Sequence, residues 1–167
     1  MGAVVVFQGR IISIEVRGTC HGTREVVVHP GAVAVLAYDR EGRILLVRQH
    51  REGVGGPLWE IPAGVLEQGE KPLAAAKREL NEETGLIGRR WQYLGTIYPT
   101  PGYSTERTYL FLASELCGTP VARSEVDEVR SFTVEELRRL VRSGHGDAKT
   151  LAALTLAGTT SPPNPPT

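Results

Sequence analysis

GVLEQGEKPLAAAKRELNEETGL, residues 64 to 86, decides how this chain is read. Glu79, Glu82 and Glu83 stand within five positions of one another, although the 19 Lys plus Arg of the chain equal its 19 Asp plus Glu. Like charges this close repel unless a cation sits among them. Pro72 suits a first helical turn and Gly85 a C-terminal cap, so KPLAAAKRELNEETG is predicted to form a helix. Residues on a helix follow one another at about 100°, which puts Glu79 and Glu83 one turn apart with Glu82 beside them. Three carboxylates are therefore expected to converge. Oxygen ligands of this kind suit a hard divalent cation such as Mg²⁺, and the lack of His or Cys in the cluster argues against zinc. For an arbitrary acidic triplet the ordinary alternative is a solvated helix face.

Outward from the helix, WEIPAG is read as leading through a Gly-containing loop, and PGAVAVLAYDREGRILLVRQHR as two strands joined by the turn DREG. Upstream, VVVFQGRIISIEVRG and TREVVVHP have the β-branched pattern of a small antiparallel sheet. Downstream, WQYLGTIYPT and TERTYLFLASE are predicted strands around the loop PTPGYS, with VRSF a further short strand. FTVEELRRLVRSG is an amphipathic helix with Thr133 placed to cap it, and GDAKTLAALTLAG is a second late helix. GTTSPPNPPT is Pro-rich and expected to be a disordered tail.

At 167 residues, 41% hydrophobic and 23% charged, the chain suits one catalytic domain. Its charge balance leaves no overall field to attract nucleic acid or an anionic membrane. No stretch is long and apolar enough for a membrane span and no basic leader precedes the first strand, so a cytoplasmic protein is expected. Cys20 and Cys117 lack the spacing of a zinc site and are read as reduced structural thiols.

Gly64, Glu70, Arg78, Glu79, Leu80, Glu82, Glu83, Gly85 and Leu86 together resemble the Nudix box, the signature of Nudix hydrolases, at every fixed position. Nine positions at fixed spacing are far more specific than an acidic triplet. In physical terms, Gly64 permits a backbone turn that brings loop carbonyls toward a metal. Glu70 pairs with Arg78 to hold the loop on the helix. Leu80 and Leu86, with Ala74 to Ala76, supply the face that docks on the sheet. The resemblance implies an α/β protein with the Nudix α/β/α sandwich and a mixed central sheet over residues 31–158. A small N-terminal antiparallel sheet over residues 1–30, exchanged within a homodimer, would precede it, and residues 159–167 would form the tail. It implies a nucleoside diphosphate substrate and two or three Mg²⁺ ions, with Mn²⁺ a possible substitute. Glu79, Glu83 and the carbonyl of Ala63 would bind metal, and Glu82 would be a further ligand or a water-positioning base.

Pro101, sixteen positions after Gly85, together with PGAVAV, VRQHR and WEIPAG, is similar to the ADP-ribose pyrophosphatase branch, whose products are AMP and ribose 5-phosphate. By that resemblance Arg51 would bind a substrate phosphate, Glu25 the adenine side and Gly102 the terminal ribose. The catalytic base would come from the loop SEVDEVRSF, where Glu125 aligns best and Glu128 is its rival, with Glu82 a third candidate. Phe7, Tyr38, Trp59 and Tyr103 are open as adenine-stacking partners. The alternatives are a Nudix hydrolase acting on NADH, FAD or GDP-mannose, and a domain that senses ADP-ribose without cutting it. The intact box argues against the second.

Overall fold

β-Branched runs separated by short turns build the N-terminal strands β1 (Ala3–Gln8), β2 (Ser13–Thr19) and β3 (Gly22–Val28). They pair antiparallel in the order β1-β2-β3 as a sheet of their own. The computed structural model describes residues 2–158; the Pro-rich end at 159–167, expected above to be disordered, lies outside the described residues.

The second sheet has seven strands: β4 (Ala32–Tyr38), β5 (Ile44–Arg51), β6 (Gly56–Glu60), β7 (Ala63–Val65), β8 (Ile87–Ile97), β9 (Thr108–Cys117) and β10 (Glu128–Phe132). Five run in the order β10-β5-β4-β9-β8, while β6 pairs with β5 and β7 with β4. β4 and β9 are parallel and the other pairs antiparallel, so the sheet is mixed. Helix α1 (Pro72–Thr84) covers one face, and α2 (Val134–Arg142) and α3 (Ala148–Ala157) cover the other. This is the α/β/α sandwich expected of the sequence.

β4 reads as an unbroken apolar run because both of its faces are buried. Val33, Val35 and Ala37 pack with Ala75, Ala76 and Leu80 of α1, whereas Ala34 and Leu36 pack with Phe132, Leu137 and Ala153. Ala74, expected to share the docking face of α1, is exposed; only Ala75 and Ala76 meet the sheet. The helix stops at Gly85, whose φ of 71° is the left-handed cap that glycine adopts without strain. Thr133 caps α2 in a reciprocal capping box with Glu136.

Two strands are new relative to the sequence. GPLWE carries a proline and AGV has three residues, so neither shows a strand period, yet β6 extends the β5 hairpin and β7 pairs with β4. β7 sets Ala63 and Gly64 beside α1. β8 begins at Ile87, earlier than the expected strand, because its register against β9 runs from Ile87 opposite Cys117 to Ile97 opposite Thr108. The N-terminal sheet joins the rest through Val27, whose N–H donates to the Tyr103 carbonyl at 2.8 Å and whose carbonyl accepts from Thr105 N–H at 2.9 Å. Cys20 and Cys117 are both free thiols.

Candidate active site and metal cradle

The helical spacing separates the three glutamates of α1 into two environments. Glu79 and Glu83 turn inward, 9% and 5% exposed. Glu82 stays outside with its side chain 52% exposed, joined to Glu79 through Arg78 Nη1, so the three carboxylates lie close together and differ in burial. Glu83 Oε2 accepts the Ala63 N–H at 3.1 Å, which ties the helix to β7. Glu79 packs against Gly64 so closely that a Cβ there would be driven into the carboxylate. Gly64 does not have the left-handed backbone that would demand glycine. Its role is clearance for Glu79, a different reason from the turn expected of it.

Arg78 is the hub around these groups. Its Nε and Nη2 donate to the two Glu70 oxygens at 3.0 and 2.9 Å, and Nη2 also reaches the Val65 carbonyl at 3.2 Å. Nη1 donates to Glu79 Oε1 at 2.7 Å and to Glu82 Oε2 at 3.0 Å. One guanidinium thus fastens the loop after β7 to the helix and orients two of the box carboxylates.

Burial dominates the electrostatics. Desolvation pushes Glu83 up to about 8, helped by the charges of Glu79 and Glu60 and opposed by the Ala63 N–H and Arg51. Glu79 is also raised, by burial first, with Arg78 opposing. Among the described residues, no group of three His, Cys, Asp or Glu side chains already stands ready to grip a metal. The donor chemistry nevertheless fits a divalent cation. Glu83 is a buried carboxylate with one hydrogen bond and a second carboxylate nearby, a combination that a cation compensates. All the available donors are hard oxygens, as Mg²⁺ prefers.

Beside the box lies a second charged cluster that the sequence reading did not assemble. Glu60, at the end of β6, has a side chain 2% exposed and accepts Arg51 Nε at 2.5 Å. Its other oxygen accepts Lys149 Nζ from the first turn of α3. Lys149 also donates to Asp147 Oδ1 at 3.1 Å, and Asp147 caps α3. The buried Thr150 Oγ1 accepts the Ile61 N–H at 3.1 Å, two residues before Ala63. Eighty-nine residues separate the partners in each of these contacts between β6 or its end and α3. The only sequence signal was the occurrence of WEIPAG and GDAKT as recognisable motifs.

The remaining candidates are dispersed. Glu25 is exposed on β3, and Gly102 is exposed at the tip of the loop before β9. Glu125 and Glu128 are exposed near the far end of the 118–127 loop. That loop is fastened at Arg123 N–H to the Glu83 carbonyl, at 3.2 Å, and at Asp127 N–H to the Arg48 carbonyl, at 2.9 Å. It therefore borders the cradle, with the non-glycine Ser124 held at φ 57° next to Glu125. Of the aromatics, Trp59 packs edge-on against Phe132 at 4.8 Å, Tyr38 borders the same core, and Phe7 and Tyr103 are 52% and 59% exposed.

The NUDIX domain family matches residues 28–154, three quarters of the chain and all of the box. This chain belongs to the NUDIX family. It is 40% identical over 159 residues to the ADP-ribose pyrophosphatase of Bacillus subtilis (strain 168), covering 89% of this chain and 86% of that protein. A 33% identical relative, with the same coverage of both, is the methanol dehydrogenase activator of Bacillus methanolicus. Among solved structures, an ADP compounds hydrolase superposes with a TM-score of 0.77 at 19% identity, over 95% of this chain and 91% of that one, a likeness of fold. The resemblance to NUDIX hydrolases and their ADP-ribose pyrophosphatase branch is upheld, and the chain is an enzyme of the hydrolase class. NUDIX hydrolases are generally dependent on divalent metals. Among the described residues no helix is long and apolar enough to cross a membrane.

Proposed function

We propose that this NUDIX hydrolase is an ADP-ribose pyrophosphatase, converting ADP-ribose and water to AMP and ribose 5-phosphate with Mg²⁺ as its metal and Mn²⁺ as a substitute. The observation that carries the reading is the inward pair Glu79 and Glu83 beneath Gly64, in a chain that shares 40% identity with an ADP-ribose pyrophosphatase over 86% of its length.

In this mechanism Glu79, Glu83 and the Ala63 carbonyl would hold the metal, with the exposed Glu82 a further ligand or a water-positioning base. Bound there, Mg²⁺ would supply charge neutralisation for the diphosphate and activation of the attacking water. Arg51 presents its guanidinium to a phosphate, Glu25 meets the adenine side and Gly102 lets the loop backbone approach the terminal ribose. A carboxylate removes the proton as water attacks phosphorus, and the P–O bond to the leaving phosphate breaks. Glu125 is the preferred base because its loop is tethered to the Glu83 carbonyl; Glu82 and Glu128 are its rivals. Residues 31–158 form the catalytic unit, and residues 1–30 form a sheet exchanged in a homodimer. Val4, Val5, Val6 and Phe7 are 63, 53, 59 and 52% exposed along one strand, an apolar surface of the kind a two-fold partner covers. A cytoplasmic location accords with two free thiols.

The test is a product-resolved assay with Mg²⁺ on equal concentrations of ADP-ribose, NADH, FAD and GDP-mannose. AMP and ribose 5-phosphate appearing fastest from ADP-ribose supports the proposal. Faster cleavage of another substrate would overturn the substrate and leave the metal cradle, while binding without turnover would favour a sensor.

A further inference from the structure

Lys149 sits on α3, far from the box in sequence, yet its ammonium is fixed between two carboxylates. Nζ donates to Glu60 Oε2 and to Asp147 Oδ1, and its side chain is only 20% exposed. Burial pulls a lysine pKa down, but the charges of Asp147 and Glu60 outweigh it here and leave Lys149 above its ordinary value. The ammonium is thus a permanent charge at the foot of α3.

Glu60 is shared between two cations, one on each oxygen. Oε2 is taken by Lys149, so Arg51 reaches Oε1 through Nε alone. Among the described residues the Nη1 and Nη2 groups of Arg51 make no hydrogen bond, and its side chain is 37% exposed. An arginine facing an unshared carboxylate ordinarily closes a bidentate pair with it. Such a pair here would use Nη as well as Nε and turn the fork toward Glu60. Stability alone does not require this arrangement, because buried ionic clusters are commonly replaceable by apolar side chains without loss. Thr150, the neighbour of Lys149, accepts the Ile61 N–H at 3.1 Å, and Ala63 two residues on donates to Glu83 Oε2 at 3.1 Å, which sets the cluster beside the cradle.

We propose that Lys149 is a positioning residue for the substrate diphosphate: by occupying Glu60 Oε2 it restricts Arg51 to a single bond through Nε and keeps the Nη1/Nη2 fork free for phosphate oxygens. The proposal rests on the function proposed above only in taking a diphosphate as the substrate. α3, outside the box, thereby becomes part of the binding machinery.

The experiment compares native protein, Lys149→Met, Lys149→Arg, Arg51→Met and the Lys149→Met/Arg51→Met double variant. Each is read by kcat and KM for ADP-ribose with Mg²⁺, and by calorimetric affinity for inorganic pyrophosphate in EDTA. Lys149→Met should raise KM and weaken pyrophosphate binding about 10-fold with kcat within about 2-fold, whereas Lys149→Arg should stay within about 3-fold of native. The double variant should be no worse than Arg51→Met alone, because both changes remove one function. Native KM and pyrophosphate affinity in Lys149→Met, or losses that multiply in the double variant, would overturn the proposal. If the native protein leaves ADP-ribose uncut while Lys149→Met still loses pyrophosphate affinity, the substrate assignment falls and the role of Lys149 stands. Should Lys149→Met not fold, Lys149→Ala takes its place, since it leaves Glu60 Oε2 equally open: pyrophosphate affinity should fall about 10-fold, and native affinity would overturn the proposal.

Discussion

Replacing Gly64 by alanine adds a single methyl group where the Glu79 carboxylate lies. The obstacle is the far end of a flexible side chain, so the strain can be relieved if Glu79 rotates outward. That relief should cost the fold little, about 1 kcal/mol, at the lower end of the range for overpacking. For a domain of this size it corresponds to a fall in Tm of roughly 2–4 °C. The site is affected far more, because the rotation takes Glu79 away from Glu83 and breaks its 2.7 Å bond to Arg78. Misplacing one group that stabilises transition-state charge costs about 2.7–4 kcal/mol, or 100- to 1000-fold in kcat.

Gly64→Ala should therefore melt close to the native temperature while losing at least about 100-fold in ADP-ribose hydrolysis. Thermal unfolding and initial rates on the same preparation check both halves. Gly64→Ala/Glu79→Asp separates the causes, since the shorter acid gives the new methyl space and should recover part of the lost rate. Activity within about 3-fold of native in Gly64→Ala would refute the clearance argument. A collapsed Tm with no recovery in the double variant would show instead that the backbone of β7 requires glycine.

The buried acid makes a pH prediction with a definite sign. Glu83 is pushed up to about 8 from an ordinary 4.5, so between those values the folded protein holds a proton that the unfolded chain releases. In EDTA, stability should fall as pH rises from about 5 to about 8, by at most about 1.4 kcal/mol per unit, and Glu83→Gln should flatten the slope while abolishing hydrolysis. Melting curves across that range check it; an equal slope in Glu83→Gln would assign the effect elsewhere. For the N-terminal sheet, Val5→Asp and Phe7→Asp should convert a native dimer to monomer in size-exclusion chromatography, because both side chains are more than half exposed on β1. A monomeric native protein at about 10 μM would remove the exchanged-sheet proposal.

The helix of the box was legible because its signals are local. Pro72, Gly85 and the 3.6-residue period need no knowledge of the rest of the chain, and α1 spans Pro72–Thr84 with Gly85 as its cap. The same period did not distinguish which carboxylates are buried. Glu82 and Glu83 are neighbours in sequence, but the side chain of one is 52% exposed while the other residue is 5% exposed, because only Glu83 faces β7. β6 and β7 were missed for a related reason. Their residues become strands only through pairing with β5 and β4, and three residues of AGV contain no period to detect. Gly64 was legible as a required glycine, although the reason needed coordinates: the restriction comes from the end of another side chain fifteen residues away, not from its own φ.

The cluster at Glu60 carries this argument furthest. Arg51, Glu60 and Lys149 belong to three separate elements, β5, β6 and α3, and of the three only Lys149 has a partner in its own helical turn, Asp147. Glu60 would be costly to bury alone, and Lys149 likewise. Glu60 is tolerated because the fold brings Lys149 and Arg51 to it, and Lys149 because Asp147 and Glu60 both face it. Glu79 and Glu82 have the opposite construction, standing on one helix and both paired with Arg78 from that same helix. A motif can encode the second arrangement because all its members move together with α1. It cannot encode the first, whose geometry exists only once α3 has docked across β4, β8 and β9. In the function proposed above, the metal would accordingly be held by residues in or next to the box, while the residues proposed to aim the phosphate-binding fork are distributed through the chain.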